Sequence, residues 1–398
     1  MGTPLIKESS APIAKEKIWT RDFTLICFSN FFIFIGFQIT LPTIPLFVEK
    51  LGGNDQLIGI VVGIFTFSAL LIRPFAGHAL ESWGRRKVYL LGLAIFVISV
   101  GSYGIAGSLF FLFFMRTVQG IGWGFSTTAS GTIATDIIPA NRRGEGMGYY
   151  GLFGNLALAF GPTLGLALVG KISFTQIFLI CATLGLIALI LSSRIQFKKA
   201  ETVKVKSSSK KWDVFEKTAI RPSLLLFFIT FTFGGIAAFL PIYTSQKGIY
   251  GIQWYFLLYA LALMVTRTFA GKIYDVKGHK AVFPPGALLI VIAMLLLGWL
   301  PNSLSLYLAG ILYGLGFGMI QPGLQAWSVQ ASPPNRRGMA TATFFSFFDL
   351  GIGVGAIIFG QVAYLFGYPS IYYTAAFSVF LSILLYYFVL GKTSVKEA

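Results

Sequence analysis

Of the 14 acidic residues in the chain, one stands deep inside an apolar run: Asp349, in Phe347-Phe348-Asp349-Leu350-Gly351-Ile352-Gly353. Desolvation favours the neutral acid there and a nearby cation favours the carboxylate. A group held between these pulls can take up and release a proton as its surroundings change. Three arginines are equally out of place in apolar runs: Arg73, Arg116 and Arg267. Ionisable side chains in a bilayer are costly, and each is a functional-site hypothesis by default. For Asp349 three readings stay open: proton coupling, a structural ion pair, or recognition of a cationic substrate. Arg116 either meets an anionic group or a carboxylate, or is a structural arginine satisfied by backbone carbonyls.

Other chemistry finds little support. His78 and His279 have no cysteine or acid at metal-ligand spacing, so no metal is expected. No phosphate-binding loop is present, so neither ATP hydrolysis by the chain nor another cofactor is expected, and the protein is not read as an enzyme. Cys27 and Cys181 fall in apolar runs and say little about redox compartment.

The elements that must carry these groups are membrane helices. The chain has 398 residues, 56% hydrophobic and only 11% charged. A soluble domain carries roughly 25% charged residues. Twelve apolar stretches between 23 and 390 each approach or exceed the ~20 residues that cross a bilayer. The expected fold is therefore all-α and polytopic, with 12 transmembrane helices in two pseudo-symmetric six-helix bundles. The expected divisions are a 1–22 N-terminal segment, bundles at 23–193 and 222–390, a basic linker at 194–221 and a 391–398 tail. The linker, with Ser207 to Ser209 at its centre, reads as solvated, and its Trp212–Phe215 portion can lie on an anionic leaflet.

A net charge of +17 raises the question of nucleic acid, but the basic residues are sorted by loop. Lys50, Lys171 and Lys247 alone fall on one side, and nearly all the rest on the other. That bias is the positive-inside rule; it puts both termini in the cytoplasm and removes the case for nucleic acid. Residues 1–22 lack the apolar core of a signal peptide. Short outer loops leave no room for an extracellular domain, and with no glycosylation acceptor site they suggest a bacterial cell membrane.

The halves match at a constant shift of 194 residues. It carries Arg73 to Arg267, Gly77 to Gly271, Glu81 to Asp275 and Gly84 to Gly278. It also carries Gly120, Gly122 and Gly124 to Gly314, Gly316 and Gly318. Near the start of each half, Gly36 and Pro42 correspond to Gly235 and Pro241 after a small gap. Such duplication is typical of transporters that bind substrate at the repeat interface near the bilayer midplane.

After the second span comes Gly77-His-Ala-Leu-Glu81-Ser-Trp-Gly84-Arg85-Arg86-Lys87, echoed by Gly271-Lys-Ile-Tyr-Asp275-Val-Lys-Gly278. The first closely resembles the signature between helices 2 and 3 of the major facilitator superfamily, Gly-x-x-x-Asp-x-x-Gly-Arg-[Arg/Lys], with Glu81 in place of the usual Asp. Glycine there lets helix 2 approach its neighbour and turn sharply. Arg116-Thr-Val-Gln119-Gly120-Ile-Gly122 resembles the family's helix 4 pattern. Gly148…Ala157…Gly161-Pro162-Thr-Leu-Gly165-Leu166 partly resembles the helix 5 motif of drug:proton antiporters, whose Gly-Pro kinks a helix between the halves.

The resemblance implies a secondary transporter working by alternating access. Its expected partners are a small-molecule substrate, protons and the lipid bilayer, and the chain is read as a monomer. The first choice is a proton-coupled exporter of small organic molecules or drugs, with multidrug efflux as the model. The alternatives are an importer or facilitator of a polar nutrient, such as a sugar or organic acid, and a sensor or lipid-moving member. Helix 1 offers Asn30 and Gln38 but no acid, which weakens the drug-specific reading. Helices 1, 4, 7 and 10 line the cavity in this family, so the candidate lining is Gln38, Arg116, Gln119, Tyr243, Gln321 and Gln325. The family's charge relay implies a latch of Gly77, Glu81, Gly84, Arg85, Arg86, Asp136 and Asp275, with Arg85 pairing with Asp136 in the outward-open state. Because helix 11 faces helix 2 in the family, Asp349 is expected beside Arg73, with Asn155 facing Arg267 as the neutral mirror image.

Overall fold

In the computed structural model, residues 17–139, 142–196, 215–333 and 337–393 are described. They form twelve helices: α1 Arg21–Lys50, α2 Asp55–Ser82, α3 Arg85–Ser102, α4 Leu109–Ile137, α5 Arg143–Leu168 and α6 Phe174–Ser193 in the first half. The second half holds α7 Lys217–Gln246, α8 Ile252–Lys277, α9 Phe283–Trp299, α10 Ser303–Gln330, α11 Arg337–Phe366 and α12 Tyr368–Thr393. Ten of these are long and apolar enough to span a membrane. Of the other two, α4 carries Arg116, Gln119 and a Ser/Thr-rich run among its apolar residues, and the described apolar run of α8 is Ile252–Arg267. Neighbouring helices shield the polar groups of α4, so it crosses with less apolar surface than the rest. Most of the linker at 194–221, the first 16 residues and the end of the tail lie outside the described residues.

Polar caps start the helices. Thr20, Asn54 and Ser108 each accept from a backbone amide of the first turn, and Ser173 and Asn302 form full capping boxes. In the turns after α2 and α8, Gly84 and Gly278 take φ of 87° and 69°, a region that favours glycine. These two are repeat mates, so the same backbone device closes the same turn twice.

Packing obeys the repeat as well. In the first half α1 packs on α5 and α6, α4 on α2 and α3, and α3 on α6. In the second, α7 packs on α11 and α12, α10 on α8 and α9, and α9 on α12. The agreement extends to atoms. A Cβ on Gly122 would fall 2.9 Å from the Gly92 carbonyl oxygen, and one on Gly316 would fall 2.5 Å from that of Gly286. Gly92 and Gly286 are themselves separated by the shift. Small residues let backbones approach closely enough for dispersion to hold helices together in lipid. The halves meet along two pseudo-equivalent seams, α2 against α11 and α8 against α5, with α1 and α7 also in contact.

Candidate functional site

The ends of the bundle that carry Arg85, Arg86, Arg142, Arg194 and Lys280 form a basic end, and the opposite, far end carries Asp55, Lys171 and Lys247. At the far end the seams are closed. Gln56 Nε2 donates to Gln361 Oε1 at 2.6 Å, the Tyr368 hydroxyl donates to Asp55 Oδ1 at 2.5 Å, and Thr163 Oγ1 donates to the Gln253 carbonyl at 3.3 Å. Glycines bring α2 and α11 together there: a Cβ on Gly59 would lie 2.5 Å from the Ala356 carbonyl oxygen, and one on Gly360 would lie 2.7 Å from that of Asp55. Toward the basic end, Gly77 and Gly148 have nothing among the described residues within 4 Å of a Cβ position. The close approach expected of Gly77 is thus not made in this conformation, and Gly84 alone supplies the turn.

Midway along the seams sit the charged groups. Arg73 Nη2 donates to Asp349 Oδ2 at 2.6 Å across α2 and α11, with the two side chains 25% and 20% exposed, so water or a proton can reach them. On the mirror seam Arg267 Nη1 donates to Asn155 Oδ1, while its Nη2 donates to Gln321 Oε1 on α10. One interface therefore holds an ion pair and the other a cation with two neutral acceptors.

Arg116 is enclosed within the first half. It is 1% exposed; its Nε donates to the Val61 carbonyl at 3.2 Å and its Nη1 to Gln119 Oε1 at 2.6 Å. Its guanidinium lies 4.5 Å from the centre of the Phe65 ring, a cation–π contact. The Tyr103 hydroxyl also donates to Gln119 Oε1 at 2.6 Å, so Gln119 is fully buried beside it. In this conformation Arg116 and Gln119 are both buried among α2 and α4, with the Val61 backbone carbonyl among the partners of Arg116. Tyr243 is likewise 2% exposed, stacked on Tyr368 and Tyr372 inside the second half. Gln321 is engaged by Arg267, and Gln325 is half-buried one turn further along α10.

Gln38 is nearly buried and its Oε1 accepts no hydrogen bond among the described residues. It lies against Gly161, where an added Cβ would collide with the Gln38 Cβ. The Gly161-Pro162 region of α5 therefore packs on α1 of its own half, and α5 runs through it as one helix. Its neighbour Thr163 is the residue that reaches across to α8. Of the expected latch, Arg85 pairs with Asp136 and Arg86 donates to the Ser193 carbonyl at 3.2 Å. Both contacts lie within the first half, and the Arg85–Asp136 pair is formed while the far end is sealed, so it is not confined to an outward-open state. The side chains of Glu81 and Asp275 lie outside the described set.

A buried aromatic cluster, with Phe34, Phe37 and Phe233 half-buried at its edge, adds to the polar residues picked out by sequence. Trp123 stacks on Phe37 at 4.1 Å between centroids and packs on Phe34 at 4.8 Å, with Phe65 beside Phe37. The shift carries Trp123 to Phe317 and Phe65 to Tyr259, and these pack on Phe233 in the second half. The signal for it lies in the repeat, at aromatic positions rather than at the glycines and charges that define the shift.

The family model of the Major Facilitator Superfamily matches residues 26–251 and again 223–398. The chain belongs to the Major Facilitator Superfamily. This transporter is 25% identical over 342 residues to the staphylopine export protein of Staphylococcus aureus, covering 83% of this chain and 86% of that one. It is 25% identical over 388 residues to the multi-drug resistance efflux pump PmrA of Streptococcus pneumoniae, covering 92% and 95%. Among solved structures, a point mutant of the nucleoside transporter NupG superposes with a TM-score of 0.75 at 14% identity, covering 91% of this transporter and 98% of NupG. A likeness at that identity shows the shared fold. A multi-pass membrane transporter of small molecules, and not an enzyme, follows from the family.

Proposed function

We propose that this transporter is a proton-coupled exporter of small organic molecules, set in a bacterial cytoplasmic membrane with its basic end and both termini inside. The observation that carries the reading is the Arg73–Asp349 pair, a titratable bond between the two halves at the depth where they pivot. Two relatives named as an export protein and an efflux pump support the direction. The half-buried Phe34, Phe37, Phe233 and Phe348, backed by the buried Trp123 and Phe317, suit an apolar cargo better than a sugar.

With the far end closed and glycines at the basic end standing in open space, the conformation is inward-facing in this reading. The carboxylate of Asp349 then binds Arg73 and helps keep α2 on α11. A proton on Asp349 removes the ionic part of that bond and loosens the seam, so proton entry and seam opening are linked. Removing one partner of a buried pair costs about 3–5 kcal/mol, enough to move a conformational equilibrium of a few kcal/mol. The chain acts as a monomer, since both seams are completed by its own halves. The test is transport of a chemically diverse panel in proteoliposomes with and without an imposed pH gradient. Movement of no compound responding to the gradient would remove proton coupling from the reading.

A further inference from the structure

Arg267 carries a full positive charge near the middle of the membrane, and among the described residues no carboxylate answers it. Its repeat mate Arg73 has Asp349; Arg267 has the amides of Asn155 and Gln321. Its Nε–H, the third donor direction of the guanidinium, is buried with no acceptor. An arginine in hydrocarbon surroundings with unfilled donors and no counter-charge is costly to keep. Nor is it sealed away as Arg116 is: Arg267 is partly exposed, and it joins α8 and α10 of one half to α5 of the other.

We infer that Arg267, with Asn155 and Gln321, is the docking point for an anionic group on the cargo, and that the substrates include amphipathic aromatic carboxylates. A carboxylate takes guanidinium side-on through two parallel hydrogen bonds, and Nε with Nη2 forms such an edge. Nε is unfilled among the described residues, as is that of Arg73, and Nη2 is held by a neutral amide that an incoming carboxylate replaces, the side chain turning to bring the buried Nε to the ligand. The apolar body of the ligand has a place to lie. Phe233 and Phe348, both half-buried, stand within aromatic contact of the buried Phe317, one turn from Gln321 on α10. Because Asn155 belongs to the other half, an anion bound here touches both halves and its occupancy bears on their relative motion. The inference deepens the exporter reading and rests on it for where the cargo sits. Binding at fixed pH separates the two, since it needs no proton gradient and no turnover.

The experiment uses the full-length transporter in detergent at one pH and constant salt. Equilibrium dialysis measures 2-naphthoate against 2-naphthamide, and 4-biphenylcarboxylate against its amide, pairs alike in shape and different in charge. The carboxylates should bind about tenfold or more tighter, the worth of a charge-assisted contact. Arg267→Gln should bring each pair to near equality while leaving the amides unchanged. Asn155→Asp should do the same by supplying an internal carboxylate, and it serves if Arg267→Gln fails to fold. No carboxylate preference in either pair, or a preference that survives Asn155→Asp, overturns the inference. So does competition by acetate as effective as by 2-naphthoate, which would make this a site for small anions rather than for an organic cargo. If binding behaves as expected and no pH gradient drives transport, the proton-coupled reading fails and this one stands.

Discussion

Arg73 and Arg267 hold the same place in the two halves, yet Arg73 meets the carboxylate of Asp349 and Arg267 the amide of Asn155. Two seams of common ancestry have thus been given different electrostatics. One can change its charge with a proton; the other offers its cation only neutral acceptors.

For the titratable seam the expectation is direct. Asp349→Asn keeps a hydrogen-bond acceptor for Arg73 but cannot bind or release a proton, so it turns the first seam into a copy of the second. In proteoliposomes this variant should transport without responding to a pH gradient. Gradient-driven transport equal to wild type would mean that the proton travels elsewhere.

Much of this arrangement can be read from residue identities. A constant shift in glycines and charges is enough to define two six-helix units, because helix packing in lipid depends on which positions are small. The facing of Arg73 and Asp349 follows once helix 2 is set against helix 11. Direction of side chains is harder. Arg116 looks from the sequence like a binding residue, but whether a helix turns such a group inward or toward a neighbour depends on the partners at the crossing, here Val61 and Phe65. Tyr243 and Gln119 pose the same question, since polar atoms within a span do not reveal whether they face a cavity or another helix, and in this conformation both are buried. Glycine alone also cannot tell a close approach from a position that stands open in one conformation, as Gly77 does.

Arg116 should therefore behave as a stability residue. Arg116→Met leaves Gln119 and the Val61 carbonyl with one donor fewer each and removes the cation from the Phe65 ring, without touching the Arg73 or Arg267 contacts. Thermal unfolding in detergent should fall by several degrees while the affinity for any transported compound changes less than about twofold, because Arg116 and Gln119 are both buried in this conformation. A large loss of affinity at unchanged stability would return Arg116 to the binding site.

The Arg85–Asp136 pair ties the α2–α3 turn to the end of α4. Both side chains are partly exposed, and such a pair contributes at most about 1 kcal/mol. Asp136→Asn should loosen this turn and raise the inward-open population only as far as the pair is stronger in the outward-open state, so by no more than roughly fivefold. Turnover should slow in step. Spin-label distances across the basic end and a turnover rate both equal to wild type would leave the pair with no part in switching.

The far-end seam offers the sharpest steric test. Gly59 faces the Ala356 backbone so closely that an added Cβ would lie 2.5 Å from its carbonyl oxygen and 3.2 Å from the Ile357 Cα. Backbone cannot swing aside as a side chain can, so Gly59→Ala must push α2 and α11 apart or shift the protein to a state in which they are already apart. Overpacking of this kind costs about 1–3 kcal/mol, equivalent to roughly 5–150-fold in a two-state ratio. Electron–electron distance measurements between labels at the far ends of α2 and α11 should lengthen, and the outward-open fraction should rise. Tyr368→Phe, which removes the hydrogen bond to Asp55 without adding bulk, should move the distances the same way by a smaller amount. Gly77→Ala is the control, because nothing among the described residues lies within 4 Å of its Cβ position in this conformation, and it should leave the far-end distances unchanged. If Gly59→Ala leaves them unchanged too, the glycine seam does not hold the far end shut, and the closure must rest on the polar bridges of Asp55, Gln56 and Thr163 alone.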